Sequence, residues 1–313
     1  MKILKRTAKI IGIMIGVIVI LLATSAIYNN IALKLEESKI KPVGQMVDVG
    51  GYKVHVYTEG ENSDSPTLVL LSGSATVAPM YDFKSIYSLL SDKYRIAVVE
   101  KAGYGYSDII DISRDVDTMV EELRTALSGA DIHYPYILLP HSMSGLESIY
   151  WAQKYPEEIA AIVGLDMSVP YSYDEFDFSK INKMMYLGSM TSKLGLIRIP
   201  GVYMLNTATL TNDEKYQQRL LMRRNAVNSV YIKEGQAVYE NSRTVLNGGV
   251  ISCPILMFSS NGKEIGDFWL PAQERFAKEN NAQLEIFDCG HYIHYYKSEV
   301  MEEIIKDFIK SIE

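Results

Sequence analysis

Cysteine is scarce in this chain, with only Cys253 and Cys289 among 313 residues. So few sulfurs exclude a disulfide scaffold and a cysteine-rich zinc site. An excess of basic residues is also missing, since 31 Lys and Arg face 38 Asp and Glu for a net charge of -7. A phosphate backbone would repel such a chain, and no Arg-rich or aromatic-interleaved basic stretch compensates, which excludes nucleic acid as a partner. There is no His-Glu-x-x-His pattern, P-loop or dinucleotide glycine fingerprint, so neither a metal nor a nucleotide cofactor is expected. Internal repeats and low-complexity runs are lacking as well. What remains, 48% hydrophobic and 22% charged, is the composition of a folded body large enough for a substantial core.

Charge is unevenly placed. Residues 1–28 hold Lys2, Lys5, Arg6 and Lys9 and no acid, a local +4 that leaves -11 for the rest. Residues 10–28, IIGIMIGVIVILLATSAIY, carry no charge. At about 1.5 Å of rise per residue they nearly cross a hydrocarbon core of roughly 30 Å. A run apolar on every face and preceded by a basic cluster reads as a transmembrane anchor rather than a buried core helix. Small residues at 23–26 offer a signal-peptidase site, so secretion after cleavage is the alternative, although the run exceeds the 7 to 15 residues of a usual signal core. The basic end, 1–9, then stays cytoplasmic, and a single-pass cell-membrane protein with an extracytoplasmic body is expected. Residues 29–44 read as a tether of alternating charge with no apolar periodicity long enough to pack.

From residue 45 onward, strand-like apolar runs alternate with amphipathic helical ones, which predicts an α/β fold with a mostly parallel sheet flanked by helices. Residues 46–49 and 52–57, joined by Gly50-Gly51, form an opening hairpin. Strands follow at 67–71, 95–100, 136–139, 160–166, 255–259 and 283–288, with helices at 81–90, 116–128, 143–154, 271–279 and 299–312. The alternation lapses between 167 and 249, a Tyr-, Met- and Leu-rich stretch with helical spacing, for instance at 214–227. The expected layout is a core of 45–166 and 250–313 with an inserted helical cap of 167–249.

Four segments carry chemistry. Pro140-His141-Ser142-Met143-Ser144-Gly145 follows the strand YILL and opens a helix, where a serine on a sharp turn presents its hydroxyl and the helix N-terminus faces an oxyanion. Alone, it matches G-x-S-x-G imperfectly. Ser72-Gly73-Ser74 ends an earlier strand, where a loop backbone N–H supplies a second oxyanion donor. Glu100 to Asp108, EKAGYGYSD, ends the next strand, and Gly290-His291-Tyr292-Ile293-His294 lies just beyond the last one. Parallel strands share one carboxyl edge, so Ser142, Asp166 and His291 converge there.

With these segments in this order, residues 45–313 resemble the α/β-hydrolase fold family, in its form with a helical cap. The resemblance implies Ser142 as nucleophile, His291 as general base and then acid, and the backbone amides of Ser74 and Met143 as the oxyanion hole. Three departures stand out: Ser72 replaces the usual histidine before Gly73, and Pro140 and Ser144 replace the elbow glycines. A serine rather than an aspartate at the nucleophile position argues against dehalogenase and epoxide-hydrolase chemistry. For the third triad member three acids are open: Asp166 in GLDMSVP, Glu264 and Asp267.

The remaining histidines His55, His133 and His141 are read as structural. Tyr171, Tyr173, Met184, Met185 and Tyr186 of the cap, with His294, are candidates to shape an apolar substrate pocket. Cys253 precedes one strand and Cys289 follows its neighbour, so roughly 15 to 20 Å of parallel strand keeps them free thiols. The expected activity is that of a membrane-tethered serine hydrolase cleaving a carboxylic ester, less readily an amide, of a small or lipid-like substrate. The alternative is a noncatalytic binding protein on the same fold.

Overall fold

The computed structural model describes residues 2–61, 65–203 and 205–312. Met1 and Glu313, at the limits of the expected basic end and core, lie outside the described residues, as do core residues 62–64 and Met204 of the cap. The chain opens with helix α1, Lys2–Glu37. Its apolar part is long enough to cross a membrane and is not covered by the rest of the chain. Residues 29–37 correct the expected tether: they continue this helix and pack against the cap. Ala32, Leu33, Leu35 and the Lys and Glu residues around them are good helix formers. Asn29 is buried, and Glu36 pairs with Arg198 at 2.8 Å and Arg223 at 2.6 Å.

Strands β1, Gln45–Asp48, and β2, Lys53–Glu59, form the opening hairpin. Its turn is fixed by Asp48 Oδ1, which accepts the N–H groups of Gly50 and Gly51, both at 2.9 Å. Both glycines hold φ near +100°, a region closed to most L side chains. Next come β3, Thr67–Leu71, the short helices α2, Pro79–Asp82, and α3, Lys84–Leu90, and strand β4, Ile96–Glu100. Helix α4, Val116–Gly129, β5, Tyr136–Ser142, α5, Ser144–Lys154, and β6, Ile159–Met167, complete the first part. The cap holds α6, Phe178–Lys193, α7, Asn212–Asn225, and α8, Ser229–Leu246. The core resumes with β7, Ile255–Ser259, α9, Trp269–Glu279, β8, Gln283–Ile286, the single turn α10, Ile293–Tyr296, and α11, Ser298–Ile312.

The eight strands form one sheet in the order β1-β2-β4-β3-β5-β6-β7-β8, antiparallel only where β2 meets β1 and β4. Period-two alternation sends Val69, Leu71, Ala97, Val99 and Leu138 to one face, beneath α4, α5 and α9. Leu68, Leu70, Ile96, Val98, Ile137 and Leu139 go to the other, beneath α3 and α11. Central strands buried on both faces must be apolar throughout, and β3 and β4 are. Cys253 lies before β7 and Cys289 beyond β8, and both are free.

Candidate active site

Ser142 is the last residue of β5, and α5 begins two residues later. Its φ of +53° puts a non-glycine residue in the left-handed region, the conformation of a sharp strand-to-helix turn. The sequence departures are accommodated locally. Ser144, fully buried, donates its hydroxyl to Leu71 O at 2.7 Å, with His141 O at 2.9 Å, tying the turn to β3. Pro140 sits in register with Leu71 at the end of the β3–β5 ladder. Two glycines permit close approach. A Cβ on Gly145 would fall 2.1 Å from Ser168 O, and one on Gly73 would fall 2.5 Å from Ser142 Cβ and 3.2 Å from its Oγ. The backbone of residues 73–74 therefore passes directly beside the serine.

Asp166 also holds a left-handed φ, +52°, near the end of β6, and is fully buried. Its Oδ2 lies 2.6 Å from His291 Nδ1. Its Oδ1 accepts Ser260 N–H at 2.9 Å and Trp269 Nε1–H at 2.7 Å, with Ser259 Oγ at 3.5 Å. Both carboxylate oxygens are thus engaged, and the imidazole that lines the cavity is held through Nδ1. Glu264 occupies a different position: its Oε2 accepts the backbone N–H of His291 at 2.9 Å, steadying the loop rather than the ring. Asp267 is exposed and borders a separate, shallow surface hollow.

Ser142 and His291 line one cavity of about 360 Å³, together with Ser74, Met143, Ser168, Trp269 and apolar cap residues. Of the residues expected to shape it, Tyr173 and Met185 do, joined by Phe176, Ile181, Val238 and Ile265. Tyr171 instead borders the shallow hollow with Arg275, and Met184 and Tyr186 turn outward, 58% and 65% exposed. Successive helical residues rotate by about 100°, so neighbours of Met185 cannot share its face. His294 is fully buried against Phe83 and His141, with Asp82 Oδ2 at 3.5 Å.

The other histidines stand apart from the cavity. His55 bridges Glu100 at 2.9 Å and Val43 O at 2.8 Å, and exposed His133 meets Asp131. His141 lies beneath the site, its ring 4.6 Å from that of His291, with Nε2 3.3 Å from His291 O. Burial, reinforced by His291 and His294, pushes its imidazole well below the ordinary range and keeps it neutral.

Sequence reasoning missed a buried ionic knot. Lys101 of the EKAGYGYSD segment puts its ammonium 2.6 Å from Glu147 of α5 and 2.6 Å from Glu234 of cap helix α8, all three fully buried. Tyr104 donates to Glu234 as well. Burial raises the Glu147 carboxyl against the pull of Lys101. The knot fastens the cap to the helix that follows Ser142. Its three members are 46 and 133 positions apart in sequence, so no local pattern joins them.

A sequence profile described as alpha/beta hydrolase fold matches residues 66–190. The "uncharacterized protein YbdG" of Bacillus subtilis is 33% identical over 326 aligned residues that cover all of both chains. Among solved structures, the haloalkane dehalogenase DatA from Agrobacterium tumefaciens superposes with a TM-score of 0.65 at 14% identity, covering 87% of this chain and 97% of its own. The enol-lactonase from Burkholderia xenovorans gives 0.61 at 17%, covering 85% and 100%. At these identities the structures speak for the shared fold alone. The full-length likeness to YbdG and the profile match across the Ser142 turn lead to one conclusion: the chain belongs to the α/β-hydrolase fold family.

Proposed function

We propose that this protein is a serine hydrolase that cleaves a carboxylic ester of a small or lipid-like substrate through an acyl-enzyme, held at the cell membrane by α1 with its body outside. The observation that carries the reading is a buried carboxylate holding the histidine that shares a cavity with a strained serine: Asp166 Oδ2 lies 2.6 Å from His291 Nδ1, and His291 and Ser142 line one cavity. In this mechanism Ser142 Oγ attacks the ester carbonyl and its proton passes to His291 Nε2. Asp166 compensates the imidazolium charge. The oxyanion is met by the N–H groups of Met143, at the start of α5, and Ser74, beside Gly73. The imidazolium then returns its proton to the departing alcohol, and water activated by the same nitrogen releases the acid. A serine nucleophile disfavours the alkyl-enzyme chemistry of a dehalogenase, despite the shared fold.

The test is labelling of the full-length protein by a fluorophosphonate, with turnover of p-nitrophenyl esters of increasing chain length. Wild type should label on Ser142, and Ser142→Ala should neither label nor turn over above background. A folded wild type that fails to label would point instead to a noncatalytic binding protein on this fold.

A further inference from the structure

We infer that the cap is a second membrane-contacting surface: the exposed apolar side chains of residues 184–203 lie in the outer interface of an anionic lipid bilayer, beside the point where α1 leaves it. This rests on α1 being a membrane anchor, as proposed above. The depth follows from two hydrogen bonds. Ser25 lies inside the uncharged stretch 10–28, three residues from its end, and donates to Leu194 O at 2.7 Å. One turn later Asn29 donates to Ser192 O at 3.1 Å. Gly195 is pressed against the same turn, where a Cβ would come within 2.8 Å of Asn29 Cβ. At about 1.5 Å per residue, Ser25 sits roughly 5 Å below the end of the apolar run, and the loop bonded to it is brought to the level of the lipid headgroups.

What the cap presents there is lipophilic. Met184, Leu187 and Met190 recur at three-residue spacing on α6 and are 58%, 60% and 44% exposed. Past the bonded residues, Ile199 and Val202 are each 52% exposed and Tyr203 42%. In water this apolar surface has no cover, whereas the boundary between headgroups and acyl chains would take it. Charge agrees. Residues 178–212 contain no acid, and beside Arg198, which is paired with Glu36, they carry Lys180, Lys183 and Lys193, in a chain of net charge -7. A basic patch on an otherwise acidic body fits an anionic lipid surface. The inner side of the same helix, Ile181 and Met185, lines the cavity of Ser142. Helix α6 thereby separates the bilayer from the candidate active site by its own width.

The full chain is to be reconstituted in vesicles of phosphatidylcholine and phosphatidylglycerol. A fluorophore is attached in turn at Leu187→Cys, Val202→Cys, Val19→Cys within α1 and Tyr134→Cys on the distant core surface, with the unsubstituted chain as blank for the two native thiols. Lipids bearing a nitroxide on the acyl chain should quench positions 187, 202 and 19 at least threefold more than 134, and aqueous iodide should quench only 134. Quenching at 19 with 187 and 202 as open to iodide as 134 would overturn the cap inference and leave the anchor standing. Iodide access at all three would overturn both. Because 187 and 202 lie on different segments, one misfolded variant does not remove the test.

Discussion

Replacing Asp166 by asparagine exchanges one oxygen for an NH₂ group and puts the proposed mechanism at risk. In the native site Oδ2 faces His291 Nδ1 and Oδ1 faces Ser260 N–H and Trp269 Nε1–H, so both oxygens meet donors. An amide has one oxygen to offer. If its NH₂ points at His291, the ring must give up its Nδ1 proton and turn into the tautomer that cannot take the serine's proton. If the amide flips, the NH₂ collides with two N–H groups that cannot rotate away. The first arrangement leaves every group paired and costs less, so the fold should stand, at a loss below the roughly 1–3 kcal/mol of a mispaired buried group. Turnover should fall by about 10⁴-fold, equivalent to roughly 5 kcal/mol of transition-state stabilisation. The comparison variant is Glu264→Gln, which keeps an amide oxygen for His291 N–H and should lose no more than about tenfold. Ester turnover and fluorophosphonate labelling rates, with a thermal melt of each variant, make the assay. Asp166→Asn keeping more than about a tenth of wild-type turnover, or Glu264→Gln falling as far, would refute the assignment of Asp166.

Three further outcomes follow from the geometry. Gly73→Ala places a methyl 2.5 Å from Ser142 Cβ and should displace the hydroxyl enough to cut turnover by about 10²-fold, while a urea melt stays close to wild type; unchanged turnover would show that the loop yields freely. Lys101→Met strands Glu147 and Glu234 without their shared cation and should cost about 3–5 kcal/mol by urea denaturation, with cap helix α8 the first segment to gain hydrogen exchange. His141 is held neutral in the fold, but the unfolded chain takes up its proton near the ordinary value of 6.5. Its contribution is therefore complete above that pH and lost below it, by up to about 1.4 kcal/mol per pH unit. Urea melts at pH 7.5 and 5.5 should show a smaller decline for His141→Asn than for wild type, and equal declines would count against the buried neutral state.

The sequence alone determined most of the fold, because its signals are local or periodic. Short apolar runs such as TLVLL, IAVVE and YILL, bounded by turn signals, read as strands buried on both faces, and the amphipathic stretches between them favour crossovers and parallel pairing. From parallel pairing it follows that residues at strand ends share an edge, so Ser142, Asp166 and His291 were legible as neighbours without any side-chain geometry. Tertiary structure decided what depends on partners far away in the chain. Residues 29–37 look like a charged tether until Arg198 and Arg223 meet Glu36 across more than 160 positions. Met184, Met185 and Tyr186 look alike in composition, yet only the packing of α6 decides which of them faces the cavity. The three candidate acids carry the same charge, and what separates them is which oxygen reaches Nδ1 of His291, a distance that no local pattern encodes.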